Sequence, residues 1–182
     1  MKKIFLFLSL VLFSVCAVAQ KNDHTVSFDG IGAIKIGMNK AALEKLLGIK
    51  IEFKHIGIDE VYMESIQAKY LGVDMELTLF RRDDVGAVLE DISTTNPLCK
   101  TAEGVGTGTD QLTIINKFGD PYLLIIGPVW EEEGAEYRRS KTKTTITVAE
   151  IENYRSAIIF SLVNKKVVSI KVGPTPEFRD RE

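Results

Sequence analysis

Residues 37–48 read GMNKAALEKLLG, and residues 108–119 read GTDQLTIINKFG. Each stretch has a glycine two positions before an Asn or Asp, Asn39 in one and Asp110 in the other. Both residue types suit a helix N-cap, because a short side-chain oxygen can accept a hydrogen bond from an otherwise unpaired first-turn amide. An eight-residue amphipathic run follows, with Leu43, Leu46 and Leu47 on the expected buried face of the first and Leu112, Ile115 and Phe118 on that of the second. Gly48 stands where a left-handed residue ends a helix, Gly119 ends the second run, and Pro121 prevents continuation. A Gly-x-Gly precedes each run, at Gly30 to Gly32 and at Gly104 to Gly106. The stretches align without a gap at an offset of 71 residues (37 to 108), near half of the chain that follows residue 19, as two tandem units would.

Working outward, the residues after each helix alternate in strand fashion. Ile49, Ile51 and Phe53 alternate with charged residues, and 61–70 and 72–80 follow. In the last of these Val73, Met75, Leu77 and Leu79 face one way and Asp74, Glu76 and Thr78 the other, the pattern of an antiparallel strand with one wet face. Residues 87–94 return as another strand after an Arg81 to Asp84 turn. In the second half Tyr122 to Ile126 reads as a short apolar strand and Trp130 to Arg139 as a polar stretch. Strands follow near 143–149, 155–163 and 166–172, with Asn164-Lys165 as a tight hairpin. The expectation is α+β: two tandem repeats, each a short helix followed by an antiparallel meander, whose sheets could run together as one. The expected division is a signal peptide at 1–19, repeats at 20–100 and 101–173, and a loose polar tail at 174–182.

Residues 1–19 carry Lys2 and Lys3, an apolar run from Ile4 to Val15, and an Ala17-Val18-Ala19 site. That is the pattern of a cleaved signal peptide, too short to span a bilayer comfortably. The expected address is therefore periplasmic or secreted. Lipid anchoring through Cys16 is the lesser alternative, since Val15 is a poor residue before a lipidated cysteine. Removing this segment leaves 21 Lys+Arg against 25 Asp+Glu, a formal charge of −4, and a single cysteine, Cys99. The charge balance argues against nucleic acid, and no stretch of the mature chain is apolar enough to be a transmembrane segment.

The run Ile36-Gly37-Met38-Asn39, the apolar helix positions and Leu47-Gly48 resemble the repeat signature of the small outer-membrane assembly lipoprotein family, SmpA/OmlA-like. They are also similar to the tandem-repeat fold of the β-lactamase inhibitory proteins. Asn39 replaces the usual Thr, one cap for another; the second copy has Thr109 in place of the Met but gains the Pro, as Pro121. The resemblance covers about 12 residues and a weaker echo 71 further on. It implies an exported, non-enzymatic binding or scaffolding module with no cofactor, contacting another cell-envelope or extracellular protein. No catalytic residues carry over from it.

The chain's own residues offer few chemical constellations. The Gly104 to Asp110 loop precedes a helix but lacks the Lys of a phosphate-binding loop, and Asp110 would repel an anion. Asp83/Asp84 and Glu131–Glu133 are paired acids, read as solvated charge. His24 and His55 have no ligand-spaced partner, so no metal site is expected. Cys99 lies in a linker-like Asn96 to Lys100 segment with no His nearby, which suits an inert thiol. Among the aromatics, Tyr62, Tyr70, Trp130 and Tyr137 are the candidate protein-binding surface, the last two favoured because acids and arginines flank them. The alternative is a small-ligand-binding protein or hydrolase-type enzyme with a site between the two repeats.

Overall fold

The computed structural model describes residues 24–52, 63–82, 86–133, 136–152 and 155–175. The N-terminal 1–23 and the tail from 176 onward lie outside them. In chain order the elements are β1 (Thr25–Ser27), β2 (Gly30–Ile31), β3 (Ile34–Lys35), α1 (Lys40–Leu47), β4 (Met63–Tyr70), β5 (Val73–Arg82) and β6 (Gly86–Thr94). They continue as β7 (Lys100–Thr101), α2 (Gln111–Lys117), β8 (Tyr122–Glu133), β9 (Glu136–Glu150), β10 (Ser156–Val163) and β11 (Lys166–Pro174).

The long strands form one seven-stranded sheet in the order β4-β5-β6-β11-β10-β9-β8, antiparallel throughout. The short ones form a four-stranded sheet, β3-β2-β1-β7, in which β1 and β7 run parallel. A single apolar cluster joins Val26, Ile31 and Ile34 of the small sheet, Leu43 and Ile114 of the helices, and the inward residues of the large sheet. One in-register row crosses all seven strands, from Ile66 through Leu77, Ile92, Val172, Ile158 and Val148 to Leu124. Such cross-strand neighbours are the unit of sheet stabilisation, and here they also floor the core.

The expected α+β class is corrected. Of the described residues 61% are strand and 11% helix, so the protein is mostly β, with two sheets and two short helices. It is not a pair of helix-then-meander repeats. The main reason lies in β8 and β9, which run to 12 and 15 residues through a region whose acids and arginines suggest a loop. Pairing across a hairpin sets Glu131 opposite Arg138 there and makes the stretch a ribbon, although Glu133 falls opposite Glu136 in the register. Conversely, Ile49 to Glu52 form no strand: Ile51 is buried and its amide donates to the Glu44 carboxylate at 2.8 Å. That hydrogen bond, with Lys40 after it, holds the Glu44 carboxyl below its ordinary range.

The likeness between the halves is local and lies at the helix starts. Gly37 and Gly108 both take left-handed φ, 81° and 90°. Gly37 N–H donates to Leu89 O at 2.7 Å, and Gly108 N–H to Val167 O at 2.8 Å. The return bonds, Leu89 N–H to Met38 O and Val167 N–H to Thr109 O, match as well. The Asn39 side chain caps Ala42 N–H and the Asp110 side chain caps Thr113 N–H, both as N-caps do. Leu43 and Ile114, aligned at the 71-residue offset, are the residues each helix fully buries. The second helix is therefore rotated from its expected face: Ile114 and Phe118 point inward and Leu112 is 69% exposed.

Two outcomes test this account. Phe160, fully buried on β10 with its ring 6.0 Å from that of Phe118, should cost about 3–5 kcal/mol when changed to Ala, against under about 0.5 for Leu112→Ala, read from urea midpoints. The Thr113 amide holds the Asp110 carboxyl below its ordinary 3.8, so this cap's ionic contribution is present above that value and fades as pH falls through the lower, folded one. Stability profiles of wild type and Asp110→Asn should thus converge below pH 3.8 and separate above it.

Candidate functional site

β9 pairs with β10 only as far as the Lys143–Val163 register, whereas β8 and β9 stay paired to Glu133–Glu136. The distal part of this hairpin, from Trp130–Arg139 to Glu133–Glu136, is thus a two-stranded arm of about 13 Å past the three-stranded region, at roughly 3.3 Å per residue. Its root is irregular. The register shifts between Pro128 and Trp130, which suits a proline that cannot donate to the ladder. Ser140 is buried there, and its hydroxyl accepts from Lys143 N–H at 3.1 Å and Thr142 N–H at 3.4 Å. Asn164 N–H donates to Thr142 O at 2.9 Å, tying the root to the β10–β11 turn. Asn164 and Lys165 in that turn both have left-handed φ, 49° and 64°, as the sequence led us to expect.

The pairing sorts the arm's side chains by face. On one face Trp130 stands opposite Arg139 and Glu132 opposite Tyr137, so the two aromatics are diagonal neighbours. Both are open to solvent, Trp130 at 60% and Tyr137 at 71%. The other face carries the ion pairs: Glu131 opposite Arg138, with Lys143 Nζ 2.6 Å from Glu131 Oε1 and Arg138 Nη2 3.3 Å from Glu136 Oε2. Lys143, then the Ser140 hydroxyl, holds the Glu131 carboxyl below its usual range. The arm thus has a side that carries ion pairs and an aromatic side with one acid and one base beside the rings.

The other expected site residues fall elsewhere. Tyr70 ends β4 at the opposite edge of the sheet, half-buried against the core with His24 edge-on at 6.4 Å, and it acts in packing. Tyr62, His55 and the Asp83/Asp84 pair lie outside the described residues. The Gly104 loop spends its amides internally: 104, 105, 106, 108 and 109 donate to Thr101 O, Thr101 Oγ1, Thr109 Oγ1, Val167 O and Gly106 O. Few donors remain for an anion. An open depression lined by Lys40, Glu52, Arg81 and Gly86 lies against α1, β5 and β6, within the first half of the chain. Among the described residues no three His, Cys, Asp or Glu side chains gather as a metal site, and no helix is long and apolar enough to cross a membrane.

Sequence reasoning picked Trp130 and Tyr137 but missed the ribbon that pairs them. The available signal was alternation on either side of Gly134, with Trp130 and Glu132 before it and Tyr137 and Arg139 after. No known protein family, curated protein or solved structure matches the chain.

Cys99 is fully buried, deeper than a linker position suggests, and burial pushes its thiol pKa up. It should resist alkylation in the native protein at mildly alkaline pH and react promptly once urea unfolds the chain, as followed by mass shift.

Proposed function

We propose that this chain is an exported, non-catalytic binding module that contacts another cell-envelope or extracellular protein through the β8–β9 arm. The observation that carries this reading is the pair of exposed aromatics, Trp130 and Tyr137, side by side on one face of a projecting ribbon. Tyr and Trp dominate protein-binding hot spots because a large, stiff, amphipathic ring loses little conformational entropy when covered. Arg139 and Glu132 on the same face give such a contact orientation and charge selectivity. The leader-like residues 1–19 support export, with Ala19 as the cleavage site. The resemblance of Ile36 to Gly48 to the outer-membrane assembly lipoproteins and the β-lactamase inhibitory proteins supports a scaffold whose motif residues build rather than react. The internal bonding of the Gly104 loop and the burial of Cys99 support the non-catalytic part of the reading.

The test is affinity capture from the source cell's envelope fraction with wild type, Trp130→Ala and Tyr137→Ala. Each variant should lose a specific captured band by roughly tenfold, about 1.4 kcal/mol, while Leu112→Ala keeps it. Equal capture by all four proteins would refute the arm as the contact surface. An intact mass beginning at Gln20 would support export.

A further inference from the structure

β4 and β8 are the two outer strands of the seven-stranded sheet, and their edges differ in kind. β4, MESIQAKY, carries Glu64 and Lys69, the sort of charge that blunts an edge against pairing. β8 carries no charge from Tyr122 to Trp130, and among the described residues its only strand partner is β9. Three of its residues are large, apolar and open: Leu123 at 43%, Ile125 at 37% and Ile126 at 50%. Among the described residues no strand pairs with its outer backbone groups, and of the segment's amides Tyr122 N–H is taken by Gly119 O at 2.9 Å. An uncharged, apolar strand with such an edge is a template for another strand.

We propose that the β8 edge is an interface for a second copy of this chain, the two β8 strands pairing antiparallel about a two-fold axis at Leu124. Self-complementarity selects this occupant. The axis sets residues equidistant from Leu124 opposite one another, so Leu123 meets the partner's Ile125, Tyr122 meets the partner's Ile126, and Leu124 meets its own counterpart. Every match is apolar on both sheet faces. Asp120 falls opposite the partner's Pro128, so no like charges face each other. Moving the axis to Ile125 would set Pro128, which lacks an amide donor, against Tyr122 inside the paired segment. A foreign strand would need five successive apolar residues to match, which symmetry supplies for free in a second copy. The charged β4 edge closes the assembly at two chains instead of letting it grow into a filament. Five residue pairs make a short interface, so the dimer is concentration-dependent.

Sedimentation of protein purified from the full-length chain tests this. Wild type should pass from monomer to dimer as concentration rises, and Ile125→Lys should stay monomeric over the same range with an unchanged circular dichroism spectrum. Leu124→Cys provides an independent arm. The two Cα atoms of a directly opposed antiparallel pair lie about 4.5–5.5 Å apart, within disulfide reach. This variant should give a covalent dimer on mild oxidation that neither wild type nor Glu64→Cys gives. Wild type that is monomeric at every concentration would overturn the proposal. So would a dimer that survives Ile125→Lys while Leu124→Cys fails to cross-link.

Discussion

Everything in this molecule depends on a narrow seam, the antiparallel pairing of β6 with β11. Three register pairs make it, Thr94–Ile170, Ser93–Lys171 and Ile92–Val172, and through them the strands of the first half join those of the second. On the side away from the main core the seam is fastened by Asp91, 4% exposed, whose carboxylate lies 2.8 Å from Lys171 Nζ. A buried carboxylate of this kind needs its partner, because leaving it alone in low dielectric costs several kcal/mol. The neighbouring strand must make room for it. A Cβ at Gly173 would sit 2.6 Å from Asp91 Cβ, so only glycine allows the close approach. The same two strands also receive the helices: α1 is pinned to β6 through Leu89, and α2 to β11 through Val167. Helix starts, core row and sheet continuity therefore meet at one line.

Much of this was legible in the sequence where local chemistry decides. Asn39 and Asp110 cap their helices, Gly48 ends α1 in the left-handed region, and Asn164-Lys165 turns the last hairpin, because each depends only on atoms a few residues away. The alternation of Val73 to Leu79 marked the buried face of β5 for the same reason. What escaped depends on partners distant in sequence. Leu112 and Ile114 both suit an inward face of α2, and only the position of the sheet beneath decides between them. The class itself is not legible locally, because helices announce themselves by caps, whereas the ribbon of β8 and β9 exists by virtue of pairs such as Glu131 with Arg138 that no local pattern shows.

The candidate site follows the same division. Trp130 and Tyr137 stood out as aromatics among charges, but their adjacency is a product of register. The bulge at Pro128 and Ser140 lets the hairpin leave the sheet, and the ion pairs on its far side stiffen it without occupying the rings. A two-stranded ribbon is marginal alone, so its root must be held by the sheet, as the Asn164–Thr142 bond does. Changes on the aromatic face can thus vary with little consequence for the core, a useful property in a recognition element.

The placement of Trp130 has a practical side. It is the chain's only tryptophan, and it sits on the arm, already in water, away from the apolar cluster. Indole emission, the customary optical monitor of protein unfolding, is therefore nearly blind to the melting of this core. It reports on the arm alone, and global stability has to be followed through the backbone or through the tyrosines that pack inside, Tyr70 and Tyr122.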